Sequence, residues 1–354
     1  MRDRLRWYHR VSTNQRPAKF LICKSIHADL ASMEVDEERL WAEHERMAAE
    51  FRIVFEEVSE GHEISEVRSP TQSFLDVKAE ILRRILKRCT FCEWKCKVDR
   101  LGGIRKGACR MDATTRVSTW FHHFGEEAPL VGTGGSGTIF FTGCVFRCVF
   151  CQNWDISQYP LRGETVDGDK LALIMKTLRN EGAANINFVG GEPTPQLHTI
   201  VAGMSSLRTS VPMLWNSDMY LTPEAMRILV DLVDIWLPDF KYGNDKCALR
   251  LSRAMRYIEV TTRNHKLAHE NGDIIIRHLV MPNHVECCTR SVLEWVAENC
   301  PRSLVNIMDQ YRPDYMVHEE PERYSDLARS PSWDEIRKAQ RYAEDLGLVW
   351  RPVS

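Results

Sequence analysis

The sequence predicts an α/β protein built on a parallel sheet, and three observations carry that expectation. Six short apolar runs lie between about residues 137 and 311, each too short for a helix and rich in β-branched or aromatic residues. Amphipathic segments of helical period separate them. Strands alternating in this way with helices imply right-handed crossovers and strands that run the same way. Periodicity alone leaves a barrel and a doubly wound sheet equally open.

The elements follow in order. Residues 1 to about 30 are mixed in character and no element is placed there. An acidic helix is expected over Met33 to Phe51, with Leu40, Trp41, His44, Met47, Ala48 and Phe51 near one face and Asp36, Glu37 and Glu38 favouring its N-terminal end. Its simplest role is a packing arm. Ser59 to Ser73, with Gly61 and Pro70, reads as a linker. The strands are expected at Thr138 to Phe141, Asn185 to Gly191, Pro212 to Asn216, Asp234 to Phe240, Ile274 to Val280 and Leu304 to Gln310. Helices are expected around Leu171 to Leu178, over Pro195 to Leu207, from Thr222 to Val233 behind a Thr-Pro-Glu start, irregularly to about Arg263, and over Ser291 to Asn299. A final helix, Trp333 to Leu346, carries Ile336, Ala339 and Tyr342 on one stripe.

The totals narrow the class. With 354 residues, 44% hydrophobic and 27% charged, the chain has room for one large domain plus an appendage. A formal charge of -2 gives no global footprint of nucleic-acid binding and no general attraction to anionic membranes. No run approaches the roughly 18 apolar residues of a membrane span, and the basic start, Met1 to Arg10, lacks the apolar core of a secretory signal. Twelve cysteines in clusters then suggest metal ligation in a reducing compartment rather than disulfides, and the expected location is the cytoplasm.

The first strand runs straight into Gly143-Cys144-Val-Phe-Arg-Cys148-Val-Phe150-Cys151-Gln-Asn153. Three cysteines spaced C-x3-C-x2-C can hold three irons of a [4Fe–4S] cluster and leave the fourth iron open to a substrate. Zinc normally closes a structural site with four protein ligands, so three thiolates suit it less well. The bland alternative is a zinc-bound or merely buried cysteine group. A second group, Cys89, Cys92, Cys96 and Cys109, is spaced C-x2-C-x3-C-x12-C and offers four thiolates for either zinc or a fully ligated iron–sulfur cluster. Eight Lys or Arg and two acidic residues between Lys87 and Arg110 offset thiolate charge, and are also a candidate substrate contact. The glycine-rich Gly132 to Gly137 lacks the Gly-Lys-Ser/Thr ending of a phosphate loop and reads as backbone entering a strand. The remaining cysteines, Cys23, Cys247, Cys287, Cys288 and Cys300, show no ligand-like grouping beyond the adjacent pair and read as small buried hydrophobes.

Ligands of parallel α/β folds gather at the carboxyl ends of strands. Those ends read Gly190-Gly191-Glu192, Asn216-Ser-Asp, Asp239-Phe-Lys241 and Arg277-His278, with His284 further on. A carboxylate such as Glu192 can accept from an ammonium, and Asp239 and Lys241 can form an ion pair that is either structural or functional.

The cysteine triad with an aromatic before its third member resembles the radical S-adenosylmethionine (SAM) superfamily. The ordered set Gly107-Ala-Cys109-Arg, Gly125-Glu-Glu, Gly135 to Cys144, Cys151-Gln-Asn, Phe188 to Thr194, Leu237 to Tyr242 and Arg277 to Asn283 is similar to the pyruvate formate-lyase activating enzyme-related (PflX-like) proteins. The resemblance implies a partial (β/α)6 radical SAM barrel over 136–330, a mostly helical extension at 1–80, a four-cysteine metal-binding segment at 81–135 and a C-terminal helix, 331–354, packed on the barrel. It implies a [4Fe–4S] cluster on Cys144, Cys148 and Cys151. SAM would be contacted by Gly190, Gly191 and Glu192, by Arg277, and by Phe150, Asn153, Asn216, Asp239 and Lys241. The implied activity is reductive cleavage of SAM to a 5′-deoxyadenosyl radical that abstracts hydrogen from a protein or peptide, with flavodoxin or ferredoxin as electron donor. A small-molecule or RNA substrate and a non-catalytic iron–sulfur sensor are the alternatives. The resemblance marks neither a membrane nor a nucleic acid as the expected partner.

Overall fold

The computed structural model describes residues 3–29, 36–62, 72–351 and 353. Eight strands make one mixed sheet: β1 (Thr115–His123), β2 (Ser136–Phe141), β3 (Glu164–Val166), β4 (Ile186–Gly190), β5 (Met213–Ser217), β6 (Ile235–Pro238), β7 (Asp273–Leu279) and β8 (Leu304–Met308). Their order is β3-β1-β2-β4-β5-β6-β7-β8. The six expected strands are β2 and β4 to β8, each within two residues of its expected bounds and all parallel. They read clearly because both faces are covered, which leaves nearly continuous apolar runs.

The sheet is mixed rather than wholly parallel. β1 pairs antiparallel with β2 on one side and with β3 on the other. β1 was not anticipated because most of it is exposed or half-exposed, so neither an apolar run nor a clean alternation marks it. β3 has three residues and no pattern to read. An antiparallel neighbour needs no crossover helix, so the short 128–131 helical turn suffices between β1 and β2.

The acidic helix is Glu37–Glu60, nine residues longer than expected at its end, so the expected linker begins inside it. Residues 33–35 of that expectation, and 63–71 of the linker, lie outside the described residues. Asp36 caps the helix by accepting from the Arg39 N–H at 2.9 Å. The Phe74–Lys87 helix, closed by a Ser73/Asp76 capping box, packs beside it and leads directly into Cys89. Two further helices, Arg6–Ser12 and Lys19–Ser25, occupy the stretch where none was placed. They dock at the amino ends of β6 and β7: Trp7 Nε1 and Lys19 N donate to Asp234 at 2.7 and 3.0 Å, and Tyr8 N donates to Asp273 at 2.8 Å. The N-terminal arm thus closes the end of the sheet opposite the strand ends that carry the cysteines.

Between the strands run the crossover helices Gly168–Asn180, Leu197–Ser206, Pro223–Leu229, Tyr257–Asn271 and Arg290–Asn299. A short helix, Asp245–Ser252, follows β6, and Trp333–Asp345 closes the chain on the Arg290–Asn299 side. Among the described residues, no helix is long and apolar enough to cross a membrane.

Candidate active site

The strands β2, β4, β5, β6 and β7 all discharge into one cavity of about 200 Å³. Cys144, Cys148 and Cys151 line it, and so do Phe150, Asn153, Gly190, Gly191, Glu192, Asn216, Asp239, Lys241 and Arg277. Most residues singled out at the strand ends therefore face the same space as the triad; His278 and His284 do not, His278 being buried against the Phe240 carbonyl and Thr289 Oγ1 at 2.7 and 2.8 Å. Asp218, read above only as part of the Asn216-Ser-Asp strand end, is a further wall.

The cysteine loop is held from behind by a helix end. Arg147 N donates to the Ser252 carbonyl at 3.1 Å and Val149 N to the Leu251 carbonyl at 2.9 Å. These carbonyls belong to the last turn of Asp245–Ser252, where a helix has acceptors to spare. Each cysteine has a polar neighbour. Cys144 Sγ lies 3.6 Å from Asp218 Oδ2, Cys148 Sγ 2.9 Å from Ser252 Oγ, and Cys151 Sγ 3.3 Å from Ser157 Oγ. Burial pushes all three thiols upward, with the Asp218 charge adding to the effect. Bare thiolates are disfavoured there, so a metal centre would have to supply the compensating charge.

The two glycines of Gly190-Gly191-Glu192 are demanded by packing. A Cβ on Gly190 would collide with the Phe141 backbone, and one on Gly191 with the Gly143 carbonyl and, at 3.1 Å, with Ser157 Cα. Their absent side chains bring the end of β4 against both the end of β2 and the start of the cysteine loop. Glu192 is 2% exposed. Its Oε1 accepts from Ser217 Oγ at 2.7 Å and Thr194 N at 3.2 Å, and its Oε2 from Asp218 N at 3.0 Å. Burial and the Asp218 charge raise its pKa to about 7 against those hydrogen bonds.

Two cations balance the carboxylates. Lys241 Nζ bridges Asp218 and Asp239. Burial would depress its pKa, but the two carboxylates hold it well above the ordinary lysine value. Arg277 Nε donates to Asp239 Oδ1 at 2.8 Å, and the same guanidinium donates to Asn216 Oδ1. Asp239 is half-buried, and Arg277 and Lys241 keep its pKa below the usual value. On its far side Arg277 approaches Glu126 at 3.7 Å and Glu127 at 4.0 Å. Burial raises Glu127 to about 7. These two glutamates open onto a second space of about 790 Å³, which shares Asn153, Asn216 and Arg277 with the first and reaches Asn306, Asp309 and Trp350. The adjacent pair Glu126-Glu127 was quoted above only as part of a motif; nothing local in the sequence marked its approach to Arg277.

The four-cysteine segment abuts the cysteine loop. Trp94 Nε1 donates to the Val145 carbonyl at 2.8 Å, and Arg147 reaches back to the Ala108 carbonyl. Cys92 feels the charges of Cys109, Cys89 and Cys96, and burial raises both it and Cys109. Cys96 Sγ accepts from Ala108 N at 3.3 Å, next to Cys109 in the chain. One expectation fails. Cys247, Cys287 and Cys288 are not isolated: with His284 they bring four ligand atoms within 4.8 Å of one another. The cue present in the sequence was His284-x-x-Cys287-Cys288; the fourth member lies some forty residues upstream and only the fold brings it in.

A parallel α/β core with three cysteines on the loop after its first parallel strand defines a class, and the comparisons with known proteins give it a name. Residues 138–296, a little under half of the chain, match the family model for the radical SAM superfamily, so the chain carries a radical SAM domain. It is 40% identical over 348 residues to the uncharacterized protein MJ0674 of Methanocaldococcus jannaschii, covering 96% of this chain and 97% of that one. Among solved structures it resembles Streptococcus suis SuiB bound to S-adenosylmethionine, at 14% identity and a TM-score of 0.42, over 57% of this chain and 44% of that chain. SuiB bound to the precursor peptide SuiA matches at 15% identity and a TM-score of 0.41, over 57% and 43%. The chain spans less than half the length of these SuiB chains. A radical SAM domain implies an enzyme with a [4Fe–4S] cluster and SAM, and such enzymes commonly draw electrons from a reductant such as flavodoxin or ferredoxin.

Proposed function

We propose that this protein is a radical SAM enzyme that abstracts hydrogen from a protein or peptide substrate, activase-like in ancestry and similar to the PflX-like group, with its six parallel strands as the partial (β/α)6 barrel. The observation that carries the reading is the single cavity shared by three thiols, two cations and the Gly-Gly-Glu strand end. The donor set fits the implied groups: two buried cysteines and the half-buried Cys151, and no fourth among the residues lining the cavity.

In this reading Cys144, Cys148 and Cys151 hold the cluster, which with SAM supplies a 5′-deoxyadenosyl radical. Glu192 Oε2 accepts one backbone donor and has a lone pair to offer an ammonium. A pKa near 7 makes the carboxylate responsive, since a cation beside it favours the ionised form. Arg277, clamped by Asp239 and Asn216, presents a fixed guanidinium to a carboxylate or ribose. Lys241 holds Asp218 and Asp239 in place, so neither turns into the cavity as a loose charge. Hydrogen abstraction needs a substrate held close to the reacting centre, and the 790 Å³ space beyond Arg277, which shares Asn153, Asn216 and Arg277 with the cavity, would admit one. The segment carrying Cys89, Cys92, Cys96 and Cys109 binds a second metal, zinc or iron–sulfur, against the cysteine loop.

The test is anaerobic reconstitution followed by iron and sulfide analysis, then reduction with dithionite in the presence of SAM. SAM-dependent change in the spectrum of the reduced cluster, together with 5′-deoxyadenosine, is expected, and both should vanish in Cys148→Ala. A filled cluster that is indifferent to SAM and yields no deoxyadenosine refutes the reading. Iron at about twice the content of one [4Fe–4S] unit would make the four-cysteine segment a second cluster; iron for one unit only would make it a zinc site.

A further inference from the structure

Away from the cavity, four ligand atoms converge on a point with no assigned role. His284 Nδ1 is the hub: it lies 3.7 Å from Cys247 Sγ, 3.4 Å from Cys287 Sγ and 3.8 Å from Cys288 Sγ. The two adjacent sulfurs are 3.9 Å apart, and all four atoms fall within 4.8 Å of one another. Zinc–sulfur bonds of about 2.3 Å and a zinc–nitrogen bond of about 2.0 Å, set at tetrahedral angles, put ligand atoms roughly 3.5–3.8 Å apart. The four spacings above, 3.4–3.9 Å, lie near that figure. A disulfide would need about 2 Å between sulfurs, so the group is spaced for an ion.

The surroundings also suit a metal. His284 Nε2 lies 3.0 Å from Asp326 Oδ2, and Asp326 is gripped by Arg250. With the ring proton on Nε2 towards Asp326, Nδ1 would keep its lone pair for a metal, the usual support of a metal-bound histidine. Cys247 stands in the first turn of Asp245–Ser252, and Cys287 and Cys288 sit side by side because Val285–Thr289 is a π-helical turn. Such turns are rare and concentrate at functional sites.

We propose that Cys247, His284, Cys287 and Cys288 bind one zinc ion in a closed Cys3His site. Soft thiolates with one imidazole in a tetrahedral array select zinc, and four protein ligands leave no open position, so the ion is structural. It staples the loop after β6 to the loop after β7. Its reach extends to the proposed cluster through one short helix: Cys247 begins Asp245–Ser252, and Ser252 ends it with its hydroxyl on Cys148 and its carbonyl on Arg147 N. The zinc therefore fixes the support on which the cysteine loop rests.

The test uses the full chain purified anaerobically, with zinc and iron measured per chain for the wild type, His284→Ala, Cys287→Ser and Cys300→Ser. The first two variants should each lose one zinc relative to the wild type. Cys300→Ser, whose thiol lies outside the group, should keep it. Zinc held by the four-cysteine segment would persist in all four proteins, so the difference isolates this site. A second readout needs no variant. Cys287, the exposed member, should be protected from iodoacetamide in the zinc-loaded wild type and react roughly tenfold faster or more after chelation, as mapped on peptides. Zinc content unaltered in both variants, an alkylation rate unaltered by chelator, or a Cys247–Cys287 disulfide in the anaerobic protein would overturn the proposal. None of these outcomes depends on whether SAM is cleaved.

Discussion

Replacing Lys78 with methionine is a sharp probe of how the N-terminal arm is held. Lys78 is fully buried on the Phe74–Lys87 helix, with Nζ 2.8 Å from Asp231 Oδ2, 3.0 Å from His44 Nε2 and 4.1 Å from the centre of the Phe74 ring. Burial, and then the Lys78 charge, keep His44 neutral, so its Nε2 can accept. Methionine has nearly the same length and shape, so Lys78→Met removes the charge without opening a cavity. What remains is a buried Asp231 carboxylate without its cation, and removing one partner of a buried pair costs about 3–5 kcal/mol. Divided by about 1.4 kcal/mol per factor of ten, this is roughly two to four powers of ten in the local opening equilibrium. Native-state hydrogen exchange, followed on peptides from Glu37–Glu60 and Phe74–Lys87, reads that quantity directly. The double variant Lys78→Met/Asp231→Leu should recover most of the loss, because an apolar pair replaces a buried ion pair at little or no net cost. Acceleration by less than about tenfold in Lys78→Met, or no recovery in the double variant, would refute the reasoning.

Two further predictions follow from burial. His198, His265 and His278 are each depressed from the ordinary histidine value to about 4, chiefly by burial. The unfolded chain then takes up protons before the folded one, so stability is full above about pH 6.5 and falls as the pH drops towards 4, by up to about 3 kcal/mol per histidine. Denaturation midpoints that stay flat from pH 7 to 5 would contradict this. Gly191→Ala should destabilise the protein by about 1–3 kcal/mol and lower iron retention, because its methyl group meets the Gly143 carbonyl that leads into the cysteine loop. Gly102→Ala, with open space around it, should leave melting temperature and iron content unchanged.

What the sequence made legible is what lies close together in it. The triad, the Gly-Gly-Glu turn and the parallel strands are each written within ten residues, and burial on both faces gives the strands a strong apolar signal. The strand-end rule then predicts which residues share a cavity, and Glu192, Asn216, Asp239, Lys241 and Arg277 do line one. The losses have a common cause. β1 presents a largely exposed face, so no periodicity separates it from a loop. Trp7 and Lys19 meet Asp234 across more than two hundred residues, and Cys247 meets Cys287 only because β6 and β7 are neighbours. Sequence spacing carries no information about such meetings. The glycines show a subtler limit: their place beside the cavity was expected, but the need for them comes from neighbouring backbone packed against them.

The two margins of the sheet bear on how this protein behaves in concentrated solution. At one margin β3 offers only three residues of unpaired backbone. At the other, Val349 bridges to Leu304 and accepts from Val305 N at 3.0 Å, covering the start of β8. An exposed strand is a template on which a second copy can add its own, and aggregation usually begins there. Here one template is short and the other partly occupied by the chain's own tail. Loading iron and sulfide into such a protein requires high concentrations and long incubations, and the blunted margins disfavour strand-to-strand growth of copies during that time.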